Sequence, residues 1–308
     1  MHNNKYLTFV FHTTDRTKLE LPMRKYDTLG ELLVAYRKFN NISQVDFATP
    51  LNIDVRTTQR WENNLSIVKP AKENDLINTT LIPHQVIRNL NSTIPIPTYY
   101  DFVIRKYSTS RLGMKTPDIE WVKANININT KQLKSIETKA DLDDIYKYMT
   151  WQYTNENRFS IEVLEKASKI CPELNLILRD NGQYYMGHYS IIPIREYVYN
   201  RIKNKEMTNS EITIHDLVEN VERDNPVFYS ISHSAETNDL LEYLLARIIK
   251  YFQDRNILDY TIASFSNRHD TRAISEQMGF KLVWEHKDEV QLQNNIEFFE
   301  GHYNGAIF

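Results

Sequence analysis

Within the twenty residues 43–62 the chain gathers side chains suited to one kind of chemistry. Arg56 and Arg60 lie four apart, with Gln59 between them and Asn63 just beyond. A guanidinium offers a planar fork of donors that pairs bidentately with a guanine edge or a phosphate, and an amide side chain can bond either partner. Asp54, just upstream, can accept from the amides of Arg56 and Thr57 and so start a helix. On that helix Thr58 and Trp61 point inward, leaving Val55, Arg56, Gln59 and Arg60 outward.

The elements that must position this set are equally readable. Ser43 begins a preceding helix with Gln44 in its first turn, and Phe47, Ala48 and Leu51 share one face. Asn52-Ile53 supplies a tight turn, with Asn52 tolerating a left-handed backbone. The run Ser43 to Glu62 resembles the lambdoid phage repressor and Cro (xenobiotic-response-element) family. Its helix-turn-helix signature reads Thr/Ser-Gln-x-x-Leu-Ala-x-x-Leu-Gly-Val-Ser-x-x-Thr-Ile-x-x-Trp-Glu. Asn52 replaces the turn glycine, and Thr58 replaces an aliphatic residue. The resemblance covers about residues 27–90, from Leu29 and Leu32-Leu33 to a closing helix near Ile77–Leu90. It implies that Gln44 and Asn63 touch phosphate while Val55, Arg56 and Arg60 face base edges. It further implies a homodimer on an inverted repeat of double-stranded DNA.

Charge is unevenly spread. The overall net charge is −3. Residues 1–139 hold 20 Lys+Arg against 13 Asp+Glu, whereas residues 140–308 hold 17 against 27. A basic front and an acidic rear suit contact with a polyanion at one end only. The one cysteine, Cys171, excludes internal disulfides and thiolate clusters, and its apolar neighbours predict a buried thiol. Seven glycines, none in a Walker or dinucleotide pattern, exclude the commonest nucleotide-binding loops. Nine histidines without paired spacing give no metal site. No apolar run reaches membrane length and no signal peptide is visible, so a cytoplasmic protein is expected.

Before the head, residues 4–25 alternate as a small hairpin, giving a β appendage over residues 1–26. After it, residues 91–118 read as an extended connector whose Arg105, Lys106, Arg111 and Lys115 are either solvated or brush the DNA backbone. From residue 119 strands and helices alternate. Ile119–Ile128 is expected as a strand, and Ala140–Thr154 and Ile161–Ile170 as helices. Asn175–Arg179 and Tyr184–Ile194 are strands joined at Asp180-Asn181-Gly182. Tyr197–Ile202 begins a helix and Val227–Ser232 is a strand. Leu240, Leu241, Leu244, Leu245, Ile248, Ile249 and Phe252 define one buried helix face. Strand Tyr260–Phe265, helix Arg272–Met278 and strands Phe280–Trp284 and Ile296–Phe299 close the chain.

That order resembles the GNAT N-acetyltransferase fold over about residues 119–308. Two strings carry the resemblance. Ile231–Phe252 runs from strand through loop into a Leu-Leu-Glu helix, and Ala273-Ile274-Ser275-Glu276-Gln277-Met278-Gly279-Phe280 approaches that family's Gly-Phe ending. The expected fold class is therefore multidomain, an all-α head with a β-hairpin followed by an α/β domain with a mixed, mostly antiparallel sheet.

The resemblance implies acetyl-CoA held by a glycine-rich loop before the long helix. Ser232, Ala235, Thr237 and Asn238 stand at that loop. Ala235 and Thr237 replace its glycines, and Glu236 adds a negative charge opposed to an incoming pyrophosphate. Ser275 stands where the family's acidic tyrosine is found, and its hydroxyl does not titrate usefully. His233 and Glu236 are read as loop residues in water. No catalytic residue is assigned and no cofactor is required. The expected function is a repressor-like DNA-binding regulator with a degenerate GNAT-like sensory or dimerisation domain. An active acetyltransferase with a DNA-binding head and an autoregulating antitoxin-type component remain as alternatives. Asn267-Arg268-His269-Asp270 is either at a cleft mouth or a helix cap. Tyr146, Tyr148, Trp151 and Tyr153 either line a pocket or fill the core.

Overall fold

The computed structural model describes residues 23–110, 119–124, 132–255, 259–287 and 295–304. The chain divides into two compact units, Met1–Phe102 and Val103–Phe308.

In the first unit, strand β1 (Met23–Tyr26) precedes helices α1 (Leu29–Asn40), α2 (Gln44–Ala48), α3 (Val55–Glu62), α4 (Pro70–Thr80) and α5 (His84–Leu90), and strand β2 (Thr98–Asp101) follows. The helices begin where the sequence supplies caps. Thr28 accepts from the Glu31 amide, Ser43 and Asp46 form a capping box, and the Asp54 carboxylate accepts from the Arg56 amide at 2.7 Å. Asn52 takes the left-handed turn between α2 and α3 with φ of 49°. The core joins Leu32, Leu33, Phe47, Leu51, Trp61 and Leu76, all buried. The expected hairpin over residues 4–25 lies outside the described residues except for its last three. Met23–Tyr26 pairs antiparallel with Thr98–Asp101 instead, so part of the connector is ordered sheet. Phe102 then packs edge-on against Tyr26 and Tyr100 and stacks on Phe39.

The second unit is α/β. Its elements are β3 (Tyr107–Ser108), α6 (Ile119–Ala124), β4 (Leu133–Ser135), α7 (Lys139–Gln152), α8 (Ile161–Ile170), β5 (Asn175–Arg179), β6 (Tyr185–Ile194) and α9 (Glu196–Lys203). They continue as β7 (Val227–Ala235), α10 (Asn238–Asp254), β8 (Asp259–Ser266), α11 (Thr271–Gln277), β9 (Lys281–Lys287) and β10 (Asn295–Asn304). A seven-stranded sheet has the order β4-β5-β6-β7-β8-β10-β9. Its pairs are antiparallel except β7 with β8, which α10 joins as a parallel crossover.

One correction falls here. Ile119–Ala124 is helical rather than a strand. Ile119 and Val122, three apart, both pack beside α10, so a helical period explains what looked like alternation.

Each face of the sheet carries a core. Ile145, Met149, Val163, Ile177, Ile192, Tyr229, Ile231, Phe265 and Phe298 form one. Leu241, Leu244, Leu245, Ile248, Ile249 and Phe252 of α10 meet Leu176, Ile191, Phe228 and Ile262 in the other, with Leu240 packed at the edge. Cys171 is a buried free thiol whose pKa burial pushes up to about 11. Among the described residues no helix is long and apolar enough to cross a membrane, and no cluster of His, Cys, Asp or Glu could hold a metal.

Candidate functional site

In the first unit the outward face of α3 presents Arg56, Gln59 and Arg60 to solvent, with Val55 half-buried at its start. The opposite face seats Thr58 and Trp61 in the core. Glu62 holds the frame behind that surface. Its carboxylate takes a two-pronged ion pair from Arg37 of α1, with Nη2 at 2.9 Å from Oε2, and accepts from Gln44 Nε2 at 2.7 Å. Gln44 Oε1 in turn accepts from Gln59 Nε2 at 3.3 Å. The structure thus brings Gln44 and Gln59 together, and Asn63 donates to the Gln59 carbonyl at 2.8 Å as the C-cap of α3. The role of Glu62 was missed in the sequence. Its partners Arg37 and Gln44 lie 25 and 18 residues away, so no local pattern announces it.

In the second unit, the one parallel strand pair among the described residues comes apart. Val227–Ser230 pairs with Thr261–Ser264, yet β7 runs on to Ala235 and β8 to Ser266 without further rungs between them. A bulge explains where the strands part. On the other edge of β7, Ser190 pairs with Ser232 and Ile191 with Ser230, leaving Ile231 as an extra residue that bends the strand.

The segment 103–108 spans the parted ends. Tyr107 N donates to the Glu236 carbonyl, just past β7, at 2.6 Å. Lys106 Nζ donates to Asp270 Oδ2, just past β8, at 2.9 Å. The Arg105 guanidinium lies 4.2 Å from the ring centre of Trp151 and 5.8 Å from that of Tyr148, both on α7. Arg105 and Lys106 are therefore buried, only 5% and 3% exposed, and not part of a solvated basic linker. Arg111 and Lys115 lie outside the described residues.

Asp270 holds Arg268 as well, through Nε and Nη2 at 3.0 Å each. Burial pushes the Asp270 carboxyl up, but the charges of Arg268 and Lys106 outweigh it and hold the group well below the usual carboxylate range. Across the cleft Glu236 is also buried, with Oε1 lacking a hydrogen-bond partner among the described residues. Burial, then the nearby Asp180 charge, raises it well above its ordinary value, against the pull of Arg105.

The four residues named for the phosphate loop do not share one loop. Ser232 and Ala235 lie in β7, and only Glu236 and Thr237 separate that strand from α10. Thr237 caps α10, its hydroxyl accepting from the Leu240 amide, and Asn238 is its first helical residue. The reading of His233 and Glu236 as loop residues in water is overturned. His233 lies in β7 stacked on Tyr189, and Glu236 is 5% exposed. Serines on a strand resemble a loop in sequence, but the Ser232 hydroxyl finds a partner inside. Ser232 Oγ lies 2.7 Å from His188 Nε2, and His188 Nδ1 bonds the Tyr185 hydroxyl. Burial, aided by the charges of His233 and Arg268, pushes His188 down to about 3, so the imidazole is neutral. Ser275 is buried on α11. Of the aromatic run on α7, Tyr148 stacks on Tyr185, Trp151 lies under Arg105, and Tyr153 belongs to the core.

No known family model matches the sequence, and no curated protein matches it. Partial likenesses to solved structures exist. One is the ribosomal-protein-S18-alanine N-acetyltransferase of Escherichia coli, with 14% identity and a TM-score of 0.32, over 56% of this chain and 94% of that one. Another is a GNAT superfamily phosphinothricin acetyltransferase from Sinorhizobium meliloti, in complex with AcCoA. Its identity is 13% and its TM-score 0.36, over 56% of this chain and 88% of that one.

Proposed function

We propose that this chain is a sequence-specific DNA-binding regulator in which residues 27–90 are a helix-turn-helix head. The observation that carries the reading is the division of α3 into two faces. Thr58 and Trp61 are buried, while Arg56, Gln59 and Arg60 stand exposed on a helix clamped from behind by Arg37, Glu62 and Gln44. A rigid short helix with two exposed arginines fits a major groove, where each bidentate guanine contact contributes about 1–3 kcal/mol of discrimination. The operator is proposed as an inverted repeat bound by a dimer.

The rear unit is proposed as a GNAT-like domain used for sensing or dimerisation. The buried Glu236 and the segment 103–108 at the ends of β7 and β8 speak against a CoA pyrophosphate at the start of α10. A second reading, acetyl transfer in the cytoplasm by the same unit, is favoured by the parting of β7 and β8, which leaves strand edges between which a cofactor could lie.

Selection of duplexes from a random pool by the full chain, with and without acetyl-CoA, tests both. Enrichment of one inverted repeat supports the regulator, and no enrichment at low salt overturns it. Micromolar acetyl-CoA binding accompanied by acetylation of an amine overturns the sensing role.

A further inference from the structure

The cleft at the parted ends of β7 and β8 is occupied by residues 103–108 of the chain itself. Residues 103–108 are tied to it by contacts that a separate peptide could make. The Tyr107 amide bonds the Glu236 carbonyl, a main-chain contact that does not depend on side-chain identity. The Lys106 ammonium meets Asp270, and the Arg105 guanidinium lies over Trp151 with Tyr148 beside it. Tyr107 is buried behind them. Glu236 adds a buried carboxyl with one oxygen unbonded among the described residues, on the side of the cleft that feels the Arg105 charge.

We propose that this cleft is a binding site for peptide bearing two adjacent cationic side chains followed by an aromatic one, and that residues 103–108, turned at Arg105 with φ of 56°, fill it in cis as an internal ligand. The contacts that hold the segment include one ion pair, one cation–π contact and one main-chain hydrogen bond, and Ile104 is buried as well. A buried ion pair gives little net stability, because the desolvation of both charges offsets their attraction. Exchange of Lys106 for an external cation of the same chemistry at Asp270 is therefore close to balanced. The tether supplies the difference, since it holds the cis copy at an effective concentration in the ~mM range. The inference holds whether or not the rear unit transfers acetyl groups.

The test uses a fluorescein-labelled peptide of sequence Val-Ile-Arg-Lys-Tyr-Ser, corresponding to residues 103–108, and the full-length protein. Lys106→Met removes the internal cation while leaving Asp270 in place. The variant should bind the peptide at least tenfold more tightly than the unaltered chain. A peptide with glutamine in place of its Arg and Lys should bind neither protein. Equal affinity of variant and unaltered chain, or equal binding of the glutamine peptide, overturns the proposal. Hydrogen exchange on the unaltered chain gives a reading that does not depend on the variant folding. Excess peptide should speed exchange of the amides at 104–108, and unchanged exchange with up to tens of mM peptide overturns the proposal.

Discussion

Lys106 Nζ lies 2.9 Å from Asp270 Oδ2, on a carboxylate whose two oxygens Arg268 already engages. One half-buried anion thus serves two buried cations from segments far apart in sequence. Asp270→Asn removes the anion that the two cations share. The second unit should lose about 3–5 kcal/mol, the usual cost of breaking a buried pair on one side. Urea unfolding followed by tryptophan fluorescence measures this, and a loss under ~1 kcal/mol would mean the cations reach solvent.

His188 makes stability depend on pH. Both its ring nitrogens are engaged, and its pKa of about 3 lies below the ordinary 6.5. Below pH 6.5 the unfolded chain gains a proton that the folded protein refuses until about pH 3. This group's contribution to stability is therefore complete above 6.5 and declines as pH falls through that window. The slope is up to ~1.4 kcal/mol per pH unit. Replacement by Gln should flatten the profile between about pH 6.5 and 4.5, above the range in which carboxylates titrate. A slope the same in both proteins would assign the dependence elsewhere.

Gly30 admits no side chain. A Cβ there would stand 2.5 Å from the Glu62 carbonyl oxygen and 2.7 Å from that of Trp61. Gly30→Ala in an open helix would gain up to ~1 kcal/mol from propensity. Here overpacking against backbone should reverse the sign and cost about 1–3 kcal/mol. A raised thermal midpoint would show that α1 and α3 lie further apart than described.

Arg56 should read bases. Arg56→Ala is expected to weaken binding to the selected duplex by about 1–3 kcal/mol and to relax preference at one position. Binding to random duplex should change far less. Fluorescence anisotropy at fixed salt on both duplexes separates the cases, and equal loss on the two would reassign Arg56 to a phosphate.

Local rules carried much of the architecture. Ser43, Asp54, Thr138 and Ser160 each cap the helix expected to follow, because a cap needs only the few amides next to it in sequence. The apolar face of α10 and the Asp180-Asn181-Gly182 turn between β5 and β6 were legible for the same reason. The turn's positive φ, however, is taken by Gln183. The two faces of α3 followed from its period alone.

The cleft was not legible. Arg105 and Lys106 look like a solvated basic stretch, and Ser232 to Glu236 like a loop, until the fold brings in partners. Those partners lie at Trp151, His188 and Asp270, and local patterns hold no record of them. Which helices and strands form was settled over a few residues by capping and periodicity. Where a charge is buried, and which strand edges stay open, was decided only when the sheet assembled, because desolvation and pairing depend on neighbours that the chain supplies from afar.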